Sequence, residues 1–97
     1  GVGFSYSDNS DDYKIGDDQA AKDNLQTILS FLVRFPQFAN SPLYITSESY
    51  GGHYMPELAL EIINYNKIIL NKTKLNLKNL ILIVNCYKII YLLKKYF

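Results

Sequence analysis

This chain is poor in the residues that build a self-contained chemical site. Among its 97 residues there is one histidine, His53, and one cysteine, Cys86. A lone cysteine closes no internal disulfide, so cysteine usage says nothing about redox compartment. Long apolar runs are missing as well. The stretch from Leu80 to Leu93 falls short of the roughly 20 residues that a membrane span needs, and Lys88 interrupts it, which leaves an interfacial helix as the membrane alternative. No secretory leader is visible. The chain starts on Gly1 rather than on methionine, so a piece of a longer protein is expected, for which a missing leader carries no weight.

Cofactor motifs are also lacking. Gly1 and Gly3 begin a glycine pattern, but the third glycine of a dinucleotide fingerprint would fall at Tyr6 and no strand precedes it. Asp8, Ser10 and Asp12 alternate like the start of a calcium loop, yet Tyr13 stands where glycine is required and Gln19 where the bidentate glutamate belongs. Neither a cofactor nor a metal is expected. Charge is nearly balanced, at a formal net +1, with acids early (Asp8 to Asp23) and lysines late (Lys67 to Lys95). The late lysines are sparse and set among aliphatic residues, so a solvated rim is the better reading and nucleic acid is not an expected partner.

At this length one small domain is possible, whereas a complete α/β sheet covered on both faces needs considerably more chain. In order, Gly1 to Ser7 reads as a glycine loop entering a short strand, and Asp8 to Asp18 as a polar surface loop. From Asp17 or Asp18 the period becomes helical. Ala21, Leu25, Ile28, Leu29 and Leu32 form one stripe, an aspartate at the start is suited to cap the first turn, and Pro36 sets the end. This helix is expected to cover one face of a sheet. Leu43 to Thr46 reads as a short buried strand; Pro56 suits the first position of a second helix, which runs to about Ile69 through Leu58, Ala59, Ile62 and Ile63. Leu75 to Val84 reads as another buried strand. Between them Asn71-Lys72-Thr73 matches the N-glycosylation acceptor pattern.

Between the first predicted strand and the second helix sits Ser49. A serine on so tight a bend has its hydroxyl lifted clear of the backbone, and the chain can turn there only if the residues two before and two after are small. Here they are Ser47 and Gly51. This pattern resembles the nucleophile elbow of α/β-hydrolases, with Ser47 replacing the usual glycine. His53 lies four residues beyond Ser49, about one helical turn beneath the bend, and is better read as a partly buried imidazole, hydrogen-bonded near the helix start, than as a catalytic base.

Positions 45 to 59, Ile-Thr-Ser-Glu-Ser-Tyr-Gly-Gly-His-Tyr-Met-Pro-Glu-Leu-Ala, resemble the nucleophile motif of the serine carboxypeptidases. Gly-Val-Gly-Phe-Ser-Tyr-Ser at positions 1 to 7 is similar to that family's upstream glycine-rich segment. The helix ending in Phe35-Pro36 and the run Leu77-Lys78-Asn79-Leu80 are similar to its next elements. The likeness covers roughly positions 1 to 80, and Cys86 to Phe97 matches nothing in the family. The resemblance therefore implies an α/β class, with a partial α/β-hydrolase sheet carrying a strand-elbow-helix around Ser49, a domain at 1–85 and a foreign tail at 86–97.

Further implications are functional. The family releases C-terminal amino acids from peptides through an acyl-enzyme, which makes Ser49 the nucleophile and the backbone amide of Tyr50 an oxyanion donor. Glu48 would lie beside the substrate's free C-terminal carboxylate, sharing a proton with a further glutamate outside this chain, an arrangement that favours acidic conditions. Vacuolar, lysosomal or secreted location is implied too, with Asn71 glycosylated if the protein is secreted. In α/β-hydrolases the triad acid and histidine follow the serine much later, and nothing after Ser49 supplies them, so catalysis is expected to be incomplete in these 97 residues. An esterase or acyltransferase on the same scaffold remains open, as does a non-catalytic remnant or binding module.

Overall fold

Six residues, Leu43–Glu48, alternate between a half-buried or buried side (Leu43, Ile45, Ser47) and an exposed one (Tyr44, Thr46, Glu48), the period-2 signature of a strand with one covered face. In the computed structural model, which describes residues 3–70 and 74–83, this strand, β1, lies parallel to β2 (Leu77–Ile83) in a two-stranded sheet. Leu43 pairs with Leu77 and Glu48 with Ile83, with an irregularity between Leu43 and Tyr44 where Lys78 is accommodated as an extra residue. Parallel strands need a crossover, and the helix between them supplies it.

That helix, α2 (Gly51–Ile68), packs on both strands, and the earlier helix α1 (Asp17–Arg34) packs along α2. The core lies at this junction. Leu25 of α1, Ile45 of β1, Leu58, Ala59 and Ile62 of α2 and Leu75 form one buried cluster, bordered by Ile28, Leu29, Leu32 and Met55. Ile62 is fully buried, which is worth about 1.5–3 kcal/mol. Both helical stripes read from the sequence are the buried ones. Asn66 fastens the approach to β2: its Nδ2 donates to the Leu75 carbonyl at 2.8 Å and its Oδ1 accepts from the Leu75 amide at 2.8 Å.

Several expectations are corrected. Residues 4–7 form no strand: Gly3 turns the chain at φ 64°, Phe4 and Tyr6 are exposed, and the segment is tied instead to a 3-10 turn at Ser10–Tyr13. The Tyr13 hydroxyl accepts from the Ser7 amide at 2.7 Å, and Ser7 Oγ donates to Asp12. No aspartate side chain caps α1. Its N-cap is Gly16, and Asp17 is already inside the first turn with its carboxylate directed to Tyr50. Pro56 is the sixth residue of α2 rather than the first, because the elbow itself seeds the helix at Gly51; so near the start, the missing N–H costs only one carbonyl its donor. β1 continues to Glu48 and is bare on one face, with Tyr44 58% exposed. Finally, α2 and not α1 covers the sheet, since α1 approaches α2 but neither strand's backbone.

The end of α1 follows expectation. Phe35 leaves helical angles before Pro36, its amide still donating to Phe31 O at 2.8 Å, and Phe31, Phe35 and Phe38 gather their rings around a 3-10 turn at Pro36–Phe38. Beside this cluster an apolar cleft of about 440 Å³ opens between Ile28, Phe31, Leu32, Phe38, Leu43 and Leu75. Among the described residues no helix is long and apolar enough to cross a membrane. Asn71, Val84 and the 86–97 tail lie outside the described residues.

Candidate active site

Two exposed residues, Ser49 and Tyr50, join β1 to α2, and Ser49 has φ 55°, the one non-glycine residue at positive φ among those described. An L-residue in this left-handed region costs roughly 1–2 kcal/mol, so the surrounding structure must hold it there. The holding is visible on both sides. On the helix side, the Gly52 amide donates to Ser49 O at 3.0 Å and the His53 amide to Tyr50 O at 2.9 Å, so that helical bonding begins at the serine's own carbonyl.

On the strand side the chain closes on itself. A Cβ placed on Gly51 would stand 1.4 Å from Ser47 Oγ and 2.4 Å from Ser47 Cβ, so residues 47 and 51 are in direct contact and one of them must be glycine. This is why the departure at Ser47 is tolerated: its side chain takes the space that Gly51 leaves empty. The hydroxyl of Ser47 turns to the Glu48 carbonyl at 3.5 Å.

A helix that begins immediately after a serine directs its first amides and the positive end of its dipole toward that serine. Tyr50, in helical conformation at φ −62°, ψ −13°, is the first of these residues, and its amide has no backbone acceptor among the described residues. The geometry suits stabilising a negative charge that develops next to Ser49. Glu48, the last residue of β1, is exposed on the uncovered side of the sheet and adjacent to the serine. Thus Glu48, Ser49 and Tyr50 stand together at the carboxyl end of a parallel strand, the end at which open α/β sheets hold their ligands.

His53 is half-buried in the first turn of α2, its ring stacked on Tyr50 with centroids 4.8 Å apart. Glu57 and Glu61 follow along α2, as their spacing predicts. Asp17 was not singled out by the sequence for this site. Its Oδ2 accepts from the Tyr50 hydroxyl at 3.1 Å across 33 residues of chain, and that bond, with the nearby negative charge, raises the phenol above its ordinary value of about 10. No local pattern could have revealed the contact, because it exists only once α1 lies against α2. Among the described residues no group of three or more His, Cys, Asp or Glu side chains is placed to hold a metal ion.

Known proteins resemble this chain over most of its length. The family model described as serine carboxypeptidase matches residues 1–89. Similar proteins from Arabidopsis thaliana include serine carboxypeptidase-like 25, 52% identical over 81 residues and 82% of this chain, and serine carboxypeptidase-like 44, 48% identical over 80 residues and 82% of it. Serine carboxypeptidase 24 from the same plant is 48% identical over 79 residues, 80% of this chain. The chain spans 17% of the length of each of these curated relatives. With the match extending through α1, the elbow and β2, this chain belongs to the serine carboxypeptidase family.

Proposed function

We propose that this chain is the nucleophile-bearing segment of a serine-type carboxypeptidase with an α/β-hydrolase fold. The observation that carries the reading is the left-handed Ser49 between a parallel strand and a helix, locked by the contact of Gly51 with Ser47. In the reaction, Ser49 Oγ attacks the carbonyl carbon of the substrate's last peptide bond, and its proton passes to a histidine outside these residues and then to the departing amine. The amide of Tyr50 stabilises the oxyanion. Water hydrolyses the resulting acyl ester and frees Ser49. Glu48, exposed beside the serine, takes part in recognising the C-terminal carboxylate of the peptide.

On this reading 1–85 belongs to the hydrolase domain and 86–97 is a tail foreign to it, although the family model reaches residue 89. The protein works in a vacuole, a lysosome or outside the cell, and Asn71 carries a glycan if it is secreted. The test is a full-length chimera in which residues 1–83 replace the matching segment of serine carboxypeptidase 24. It is expected to release free C-terminal residues from blocked dipeptides, and Ser49→Ala to lower kcat by roughly 10⁶-fold. Turnover of simple esters without such peptides would favour an esterase on the same scaffold. The 97-residue chain alone, which lacks a triad histidine after Ser49, is expected to show no fluorophosphonate adduct by intact mass. An adduct at Ser49 would make His53 or a partner subunit the base.

A further inference from the structure

The side chain of Tyr50 is held at three points. Its hydroxyl donates to Asp17 Oδ2 at 3.1 Å, its ring lies over His53 at 4.8 Å, and Tyr54 meets it edge-on at 4.9 Å. The ring nevertheless remains 53% exposed, so burial is not what fixes it. The residue so fixed directly follows the strained Ser49, and the peptide joining the two carries the amide nitrogen that faces the developing oxyanion. Rotation of that peptide, through ψ of Ser49 and φ of Tyr50, would re-aim the Tyr50 amide. A ring anchored at its far end opposes such rotation, because χ1 and the Cα position of Tyr50 are then set from outside the elbow. Its neighbours on α2 cannot do this alone, since they move with the helix. Asp17 belongs to a different helix, and the core residue Leu25 ties that helix to Ile45 of β1.

We propose that Asp17 is a positioning residue for the reaction: by accepting from the Tyr50 phenol it braces the peptide between Ser49 and Tyr50, and so keeps the oxyanion donor aimed while the strand and helix flex. The proposal rests on the carboxypeptidase reading above. Asp17 acts through Tyr50 and touches no reacting atom. The bond also gives the first turn of α1 a role beyond packing, and explains why its carboxylate is turned away from the helix's own amides.

The experiment is a double-mutant cycle in the full-length chimera, with kcat and KM measured for a blocked dipeptide and folding checked by thermal melting. Asp17→Ala and Tyr50→Phe are each expected to lower kcat about tenfold with KM within about twofold, a fraction of what loss of an oxyanion donor costs. The double variant should lose about tenfold, not a hundredfold, because both changes remove one bond. Asp17→Asn should restore most of kcat, since its amide oxygen still accepts from the phenol. Asp18→Ala, also in the first turn of α1 but exposed, should leave kcat unchanged. Multiplicative losses in the double variant, unchanged kcat in Asp17→Ala, or an equal loss in Asp18→Ala would each overturn the proposal. Those outcomes are read against turnover that depends on Ser49; turnover that survives Ser49→Ala would instead overturn the carboxypeptidase reading itself.

Discussion

The contact between residues 47 and 51 fixes how sharp the turn at Ser49 can be. Because the Cβ of Ser47 already occupies the space where a side chain on Gly51 would begin, Gly51→Ala forces the strand and helix apart. In the full-length chimera we expect it to destabilise the fold by about 1–3 kcal/mol, read as a lower urea midpoint at unchanged slope. Ser47→Gly added to Gly51→Ala should recover most of that loss, since the two atoms of Ser47 are what the new Cβ would meet within 4 Å. A double variant as unstable as the single would place the strain elsewhere. This pair was legible in the sequence because steric exclusion in a tight turn acts between residues four apart. The bond from Tyr50 to Asp17 was not, because nothing in a hydroxyl or a carboxylate names a partner 33 residues away. Glu48 and Ser49 were located by the pattern around them, and their placement at the strand's carboxyl end follows from the same local chemistry.

Among the elements, the helices were the most readable, since their apolar stripes repeat at the helical period and their buried residues are those the stripe selects. Their beginnings were less readable. Pro56 looks like a first helical residue, yet bonding from Ser49 and Tyr50 starts α2 five residues earlier. The strand expected at 4–7 failed for a different reason: alternation of apolar residues makes a strand only where an edge is available to pair with it. β2 shows how such an edge is secured. Asn66 grips both polar groups of Leu75 just before the strand starts, doing for one residue what a neighbouring strand would do. Asn66→Ala would leave the Leu75 amide without its acceptor and the Leu75 carbonyl with the Leu77 amide alone, at a cost of about 1–3 kcal/mol. Hydrogen exchange should locate the loss, with the Leu75 amide exchanging much faster than amides in the middle of α1. Asn66→Asp keeps the acceptor but sets an oxygen against the Leu75 carbonyl, so it should give no rescue. Retained protection of Leu75 in either variant would show that the core alone holds the strand entry.

For the molecule as a whole, the balance of covered and uncovered surface decides how it behaves alone. A two-stranded sheet covered on one side is a marginal unit, because sheets gain independent stability from additional strands and from packing on both faces. Here Tyr44 stands 58% exposed on the open face and Val33 83% exposed on α1, while the cleft beside Phe31 and Phe38 is lined almost wholly by apolar side chains. Relatives of which this chain spans 17% have ample further chain to cover such surfaces, and in the chimera those surfaces would be packed. The isolated chain should therefore melt broadly, with far-ultraviolet ellipticity changing over a wide temperature range, and should bind an apolar-surface dye before melting. The chimera should melt in one sharp transition and bind little dye. A sharp, dye-free transition in the isolated chain would mean that the core around Ile62 suffices by itself, and the strain at Ser49 would then have to be supported by α1, α2 and the two strands alone.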